Sequence, residues 1–214
     1  MTLAITPSVA IVPLPPSPGL YVTVGPEPLV PWALETITKT IAWPARILWV
    51  DAANAFNAYI VAIAARGAGK DPVTVLKSYQ VARPFTAYQL ETMISEKSLM
   101  AARRVGASLS VIADPLRLFA DAEGRDTQIR PCYGRFIAGL RKMAGETAVL
   151  VLQATERSPY KTALLKTATR ITGLQFVDSR PRLIIRPTIP LTSSRQEKVR
   201  RPGVPLPGAQ PAKG

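Results

Sequence analysis

The chain has 214 residues, and its 27 Lys and Arg against 14 Asp and Glu give a formal net charge of +13. One cysteine and no histidine exclude an internal disulfide, the common zinc ligand sets and Ser-His-Asp or Cys-His catalysis. The basic balance favours a polyanionic partner, either nucleic acid or an anionic membrane surface.

The first segment, residues 1–18, carries a β-prone stretch at 9–12 and then the proline-rich PLPPSPG, which predicts an extended arm. It lacks the positive region of a signal peptide, and no apolar run reaches the ~18 residues of a membrane span. We therefore expect a cytoplasmic protein without a membrane partner.

The next segment predicts a strand, a turn, a helix and a second strand. An apolar β-rich run at 20–24 ends at Gly25, and a proline-rich turn leads into a helix at about 32–42. A second apolar strand at 47–50 ends in Asp51. This order places the turn where a nucleotide-binding fold holds phosphates.

A phosphate-binding loop of this kind needs the pattern G-x-x-x-x-G-K-[ST]. The glycines let backbone N–H groups face the anion, the lysine supplies charge, and the hydroxyl binds magnesium. Counting from Gly25, the last three positions are Val30, Pro31 and Trp32. The sequence therefore keeps the frame of such a loop without its phosphate-binding groups.

Further helices and a third strand follow Asp51. The apolar pattern predicts a buried helix at 56–66, then a short helix at 72–76 that Asp71 caps. SYQVARPF predicts the third strand, and a long helix is expected to run from about 86 to 105.

The second half contains two more core strands. A strand at 108–113 ends in Asp114, and an amphipathic helix covers 129–143, where Cys132 is predicted to be a small buried thiol. The strand at 148–153 ends in Gln153, and two further apolar runs predict a closing antiparallel hairpin.

The alternation of strands and helices predicts an α/β fold: a mostly parallel twisted sheet with helices on both faces and a C-terminal antiparallel hairpin. We expect a core domain at 19–190 between the arm at 1–18 and a basic, proline-rich, disordered tail at 191–214. Binding sites in such folds lie at the carboxyl ends of the strands.

Several segments resemble the RecA recombinase family, and they imply a RecA-like core. GPEPLVPW resembles the bacterial loop G-P-E-x-x-G-K-T, and WVDAANAFN resembles the strand-end segment hydrophobic-D-A-E-x-A. ARPF with Gln89 is similar to the A-R-x-F…Q stretch of archaeal and eukaryotic recombinases, and SLSVIAD to a Walker B strand.

The resemblance implies a vestigial nucleotide site. The family's general-base glutamate matches Ala53, and its γ-phosphate-sensing glutamine matches Gln153. Asp114 matches the magnesium-binding aspartate, and capping of the following turn is the alternative role for it. The site comprises Gly25, Pro31, Trp32, Asp51, Ala53, Asp114 and Gln153. With lysine, hydroxyl and base replaced, we expect neither ATP hydrolysis nor a bound cofactor.

DNA contact is the function that such a core retains. Basic residues in the two segments that match the family's DNA loops, and in the tail, are the candidates: Arg125, Arg130, Arg135, Arg157, Lys161, Lys166, Arg170, Arg195, Lys198, Arg200 and Arg201. Tyr160 is a candidate for stacking on a base, and packing within its own loop is the alternative.

Three functions remain open. The first is a non-catalytic accessory of recombination or repair mediator type that binds DNA, with single strands favoured. The second is a pseudo-ATPase subunit that binds a catalytic RecA-type recombinase, or a DNA polymerase accessory, without binding DNA strongly. The third is a regulator that senses another ligand in the vacated pocket. A homo- or hetero-oligomer is expected, and a metal-dependent nuclease using Asp51 and Asp114 has weak support.

Overall fold

A computed structural model of the chain describes residues 17–124, 126–154, 158–177 and 180–186. The strands within these ranges are β1 (Gly19–Gly25), β2 (Ile47–Asp51), β3 (Tyr79–Ala82), β4 (Leu109–Ala113), β5 (Ala148–Ala154), β6 (Arg170–Val177) and β7 (Arg180–Arg186). The α-helices are α1 (Leu29–Thr40), α2 (Ala58–Gly67), α3 (Pro72–Lys77), α4 (Ala87–Thr92), α5 (Ser98–Val105), α6 (Pro115–Ala122), α7 (Ile129–Ala144) and α8 (Lys161–Thr167).

These strands form one sheet in the order β3-β2-β4-β5-β1-β6-β7. The pairings from β3 across to β6 are all parallel, and β7 is antiparallel to β6. The predicted α/β fold with a mostly parallel sheet and a C-terminal hairpin is therefore confirmed, and it is consistent with a RecA-like core. The predicted arm, apart from residues 17 and 18, and the predicted tail lie outside the described residues.

The core has two halves, one on each face of the sheet. The helices α1, α2 and α3 cover one face, and α4 to α8 cover the other. Strand β5 shows the alternation, since Leu150 and Leu152 pack under the first group while Val149 and Val151 pack under the second. The central strands β2, β4 and β5 are buried along their whole length, as expected for parallel strands covered on both sides.

Helix α1 begins three residues earlier than its sequence pattern suggests. Pro31 is the third residue of the helix, where the backbone nitrogen has no partner within the helix and a proline is tolerated. The first helical hydrogen bond runs from the Trp32 N–H to the Pro28 carbonyl, at 3.2 Å. The segment predicted to be a long turn is therefore partly the first turn of a helix.

Two other helices also differ from expectation. The long helix expected at 86–105 is divided into α4 and α5 by a π-helical turn, Met93–Lys97. Helix α2, expected to be buried, leaves Tyr59 and Ile63 exposed and buries only the side of Val61, Ala64 and Ala65. No helix within the described ranges has the length and apolar character needed to cross a bilayer.

Helix α7 crosses the π-helical turn so closely that it needs a glycine. A Cβ atom built at Gly139 would lie 2.8 Å from the Ser95 Cα and 3.0 Å from the Ser95 backbone nitrogen. These are backbone atoms, so the neighbour cannot yield by rotating a side chain. Gly134 lies on the same helix, but a Cβ there meets no described atom within 4 Å.

The two glycines should respond oppositely to alanine. We expect Gly139→Ala to lower the free energy of unfolding by about 1–3 kcal/mol because it overpacks a helix contact. Gly134→Ala should raise it by about 0.5–1 kcal/mol because alanine is the better helix former. Urea denaturation followed by circular dichroism measures both, and a neutral Gly139→Ala would mean that the helices can separate freely at this point.

Candidate functional site

Four predicted site residues lie at the carboxyl ends of neighbouring strands. Gly25, Asp51 and Gln153 are in the last residues of β1, β2 and β5, and Asp114 directly follows β4. These strands are adjacent in the order β2-β4-β5-β1, so the residues line one edge of the sheet. We call the edge at which the parallel strands end the carboxyl edge.

The junction between β1 and α1 is too short to surround a phosphate. Only Pro26, Glu27 and Pro28 separate Gly25 from the first residue of α1. Gly25 is buried, and a Cβ atom there would lie 2.9 Å from the Leu174 Cβ and 3.3 Å from the Leu29 Cδ1. The glycine is therefore required by close packing of β1 against β6 and α1.

The motif positions that would carry the last glycine, the lysine and the hydroxyl belong to α1. Val30 and Trp32 are part of the apolar core under α1, and Trp32 is only 8% exposed. Pro31 lies between them, has no N–H to donate and is half-buried. The side chains at these positions thus stabilise the helix and the core.

Both carboxylate oxygens of Asp51 accept hydrogen bonds from the protein. Asp51 is 0% exposed, and its Oδ1 accepts from the Ala55 N–H at 2.9 Å. Its Oδ2 accepts from the Phe56 N–H and from Arg83 Nε, both at 3.0 Å. A second Arg83 nitrogen donates to the Phe56 carbonyl at 3.2 Å. The carboxylate therefore fixes the turn after β2 and joins it to the end of β3.

Sequence reasoning missed the role of Arg83, which it assigned only to a family motif. Arg83 directly follows β3, and it reaches Asp51 because β3 is the neighbour of β2, which only the strand order reveals. Ala53, at the position of the general base, is half-buried, and its N–H donates to the Ala113 carbonyl at 3.0 Å. It contributes no acid or base to the edge.

Asp114 and Gln153 form a buried pair. The Asp114 backbone is left-handed, with φ of 47°, and its Oδ1 accepts from Gln153 Nε2 at 2.5 Å and from the Ala154 N–H at 3.2 Å. The Gln153 Oε1 accepts from the Leu116 N–H at 3.3 Å. The pair joins the ends of β4 and β5 to the start of α6.

These bonds limit the chemistry of the edge. Asp51 and Asp114 both accept hydrogen bonds from backbone N–H groups, which gives each carboxylate a structural role at the end of its strand. Within the ranges that the structure covers, no group of three or more acidic or cysteine side chains is placed to hold a metal ion. The geometry supplies structural hydrogen bonds where the family resemblance predicts catalytic groups.

The basic candidates do not form one surface. Arg130 and Lys161 are near the starts of α7 and α8, towards the carboxyl edge, and Arg135 is further along α7. Lys166 and Arg170 lie at the opposite end of the sheet, because α8 carries the chain back to the start of β6. The candidates Arg125, Arg157, Arg195, Lys198, Arg200 and Arg201 lie outside the described residues.

Two of these arginines are ion-paired at the surface. Arg130 contacts Glu123 at 3.0 Å, and Arg135 contacts Glu91 at 3.3 Å. Both guanidinium groups are exposed, but Glu91 is buried, so the magnitude of about 0–1 kcal/mol for exposed pairs applies only to Arg130 and Glu123. The Arg130 guanidinium can therefore exchange its partner for a phosphate at little cost, whereas release of Arg135 would leave the buried Glu91 carboxylate without its cation.

Tyr160 is not available to stack on a base. It is 5% exposed, and its ring lies 4.6 Å from that of Tyr133 and 5.8 Å from that of Phe119. Its carbonyl accepts from the Tyr133 hydroxyl at 2.7 Å. The alternative of packing within the fold is the one that the structure supports, because the ring is buried against two other aromatic side chains.

Other titratable groups near the first predicted loop are also held in place. The Tyr88 hydroxyl donates to Asp126 Oδ2 at 2.5 Å, and this hydrogen bond raises the pKa of Tyr88 to about 12. Burial, with the nearby Glu91 carboxylate, raises the pKa of the Cys132 thiol. Cys132 is fully buried, so the expected buried thiol is confirmed.

Comparison with known proteins identifies no family for the chain. No protein-family model matches it, and no curated protein sequence matches it. The resemblance to recombinases therefore depends on the sequence motifs, and the fold is compatible with it.

Proposed function

We propose that the chain is a non-hydrolysing, RecA-like accessory protein of recombination or repair that binds single-stranded DNA in the cytoplasm. One observation carries the first half of the proposal: the three-residue β1–α1 junction, with Val30 and Trp32 in the core behind it. Phosphoryl transfer depends almost wholly on positioning and charge stabilisation, and this junction supplies neither.

Charge supports the second half of the proposal. The net charge of +13 favours a polyanion, and Arg130 and Arg135 present exposed guanidinium groups on the side of the sheet where the family resemblance expects DNA. Lys161 begins the next helix at the same edge. Together they supply sequence-independent attraction to phosphates.

Binding of a labelled single-stranded oligonucleotide across a salt series tests the proposal. We expect Arg130→Ser with Lys161→Ser to weaken binding and to reduce the salt slope by about 1.4, which is about 0.7 for each phosphate that is no longer neutralised. Glu123→Gln is the matched control, because it removes the surface partner of Arg130 and should leave binding equal or stronger. No affinity at moderate salt, or complete loss on deleting residues 191–214, would refute binding through the loops.

The second candidate function is a pseudo-ATPase subunit that docks on a catalytic recombinase or on a polymerase accessory. Large apolar side chains on the surface favour it: Phe85 is 71% exposed and Val81 lies on β3, the edge strand of the sheet. Co-purification with a catalytic partner, abolished in Phe85→Ser, would support this function. A homo- or hetero-oligomer is expected in either case.

A further inference from the structure

Basic residues gather at the edge of the sheet opposite the carboxyl edge. Helices α1, α3, α5, α7 and α8 all end shortly before a strand or a strand-leading loop, and each has a cation in its last turn. Arg46 precedes β2, and Arg170 begins β6. We call this surface the amino edge; its cations are Lys39, Arg46, Lys70, Lys77, Arg103, Arg104, Arg141, Lys142, Lys166 and Arg170.

Helix dipoles explain part of this distribution. A cation near a helix C-terminus contributes about 0.3–1 kcal/mol to stability, which accounts for the last-turn residues. It does not account for Arg46, which lies in the connection before β2, or for Arg170, which is in a strand. Among the described residues, the acidic groups facing this edge are few: Glu35 pairs with Lys39, Glu146 pairs with Arg103, and Asp71 caps α3.

A cleft of about 530 Å³ lies within the amino edge, beside the starts of β2 and β3. Its lining includes Trp43, Arg46, Lys70, Lys77 and one carboxylate, that of Asp71. The size is that of a small-ligand site, and the lining combines an indole ring with positive charge. The backbone of Arg46 is fixed here because its carbonyl accepts from the Ser108 N–H at 2.8 Å, and the residue is exposed.

Lys70 and Trp43 form one wall of the cleft, and hydrogen bonds hold both side chains. The Lys70 ammonium donates to the Thr38 carbonyl at 2.9 Å and lies 5.2 Å from the centre of the Trp43 ring. Trp43 Nε1 donates to the same carbonyl at 3.4 Å. Burial lowers the pKa of Lys70, which is consistent with a structural task for this lysine. The exposed cations that remain for a ligand in the described lining are Arg46 and Lys77.

Trp43 differs from the other tryptophans of the chain. Trp32 and Trp49 are buried in the core, whereas Trp43 is partly exposed at the cleft. An aromatic ring beside cations is the combination that binds bases and phosphates of single strands. A bilayer surface fits less well, because the ring lies in a concavity that an unpaired base can enter.

We propose that the amino edge is a second nucleic-acid surface, at which Trp43 stacks on a base of a single strand while Arg46 and Lys77 contact the neighbouring phosphates. It goes beyond the proposed function, whose contacts lie at the carboxyl edge. The two surfaces are at opposite ends of the same strands. One molecule can therefore hold two segments of nucleic acid at once.

The full chain, mixed with a short oligothymidylate at low salt, tests this through tryptophan fluorescence and anisotropy. We expect the oligonucleotide to quench Trp43, while the two buried tryptophans give a constant background. Arg46→Glu with Lys77→Glu should abolish the quenching, weaken binding about tenfold or more, and lower the salt slope by about 1.4. Trp43→Phe should remove the signal and retain binding.

A matched control makes the same charge change elsewhere. Lys97→Glu with Arg117→Glu alters two exposed residues outside the amino edge and should preserve the quenching. If this control lost as much quenching as the Arg46 and Lys77 variant, net charge alone would explain the effect and the proposal would be overturned. Unchanged quenching in the Arg46 and Lys77 variant would also overturn it. Tighter binding to phosphatidylserine vesicles than to the oligonucleotide, abolished in that same variant, would assign the edge to a membrane instead.

The Trp43 quenching experiment can be interpreted independently of the salt-series experiment on Arg130 and Lys161. Quenching of Trp43 that survives Arg130→Ser with Lys161→Ser supports the amino edge whatever those two residues do. Binding that depends only on Arg130 and Lys161 supports the proposed function and refutes the second surface.

Discussion

Introducing the phosphate-loop residues, by Val30→Gly, Pro31→Lys and Trp32→Thr together, is expected to remove much of the stability of the protein without creating an ATP site. Val30 and Trp32 are buried in the core under α1. Replacing a buried tryptophan with a small residue costs about 3–5 kcal/mol, and a glycine in the helix adds about 1 kcal/mol. A domain has only about 5–15 kcal/mol of stability in total.

The single variant Pro31→Lys separates the effect on folding stability from the effect on ATP binding. Pro31 is half-buried at the third position of α1, so Pro31→Lys should change the unfolding free energy by less than about 1 kcal/mol. It should still bind no ATP, because the junction before the helix remains three residues long. Urea denaturation and titration with a fluorescent nucleotide measure both properties. A folded triple variant that binds Mg-ATP would contradict the role assigned to the junction.

Loss of the Asp51 carboxylate is expected to have the second largest effect. Asp51→Ala leaves the N–H groups of Ala55 and Phe56 without their acceptor in a buried turn. Each orphaned donor costs about 1–3 kcal/mol, so the unfolding free energy should fall by about 3 kcal/mol. Thermal unfolding should then shift downward by about 6–12 °C for a domain of this size.

The matched variant is Arg83→Met, which removes the ion pair and keeps the carboxylate. The Arg83 side chain is 44% exposed, but Asp51 is fully buried, so the loss should be about 1.5–2 kcal/mol, which is smaller than for Asp51→Ala because the carboxylate keeps its two backbone donors. Asp51→Asn should fall between the two, since an amide oxygen can accept one of the backbone bonds. If Asp51→Ala and Arg83→Met lowered the unfolding free energy equally, the ion pair with Arg83, and not the hydrogen bonds to the turn, would account for the contribution of Asp51 to stability.

The strands could be located well from the sequence because their apolar runs are short, β-branched and ended by Gly, Asp or Gln. The start of α1 was misplaced because Pro26, Pro28 and Pro31 suggest a turn, although a helix tolerates proline in its first turn. For Tyr160, stacking on a base and packing in the fold could not be separated. Burial of that ring is decided by Phe119 and Tyr133, which are distant in sequence.

The site was harder to predict than the fold because it depends on strand order. Nothing in the neighbourhood of Asp51 indicates that Arg83 reaches it until β2 and β3 are known to be adjacent. Likewise, Lys166 and Arg170 were grouped with Lys161 because they are close in sequence. The length of α8 carries them to the other end of the sheet.

The short β1–α1 junction also limits what point substitutions can achieve. Single-nucleotide changes can exchange Pro31 or Trp32, but they cannot lengthen the connection, so a gain of nucleotide binding would require an insertion together with repacking of the space beside Leu29 and Leu174. Intermediate steps on that route would carry a weakened core and no gain in activity. Conversion of this junction into a phosphate-binding loop would therefore need several coordinated changes, each of which disturbs the packing at the start of α1.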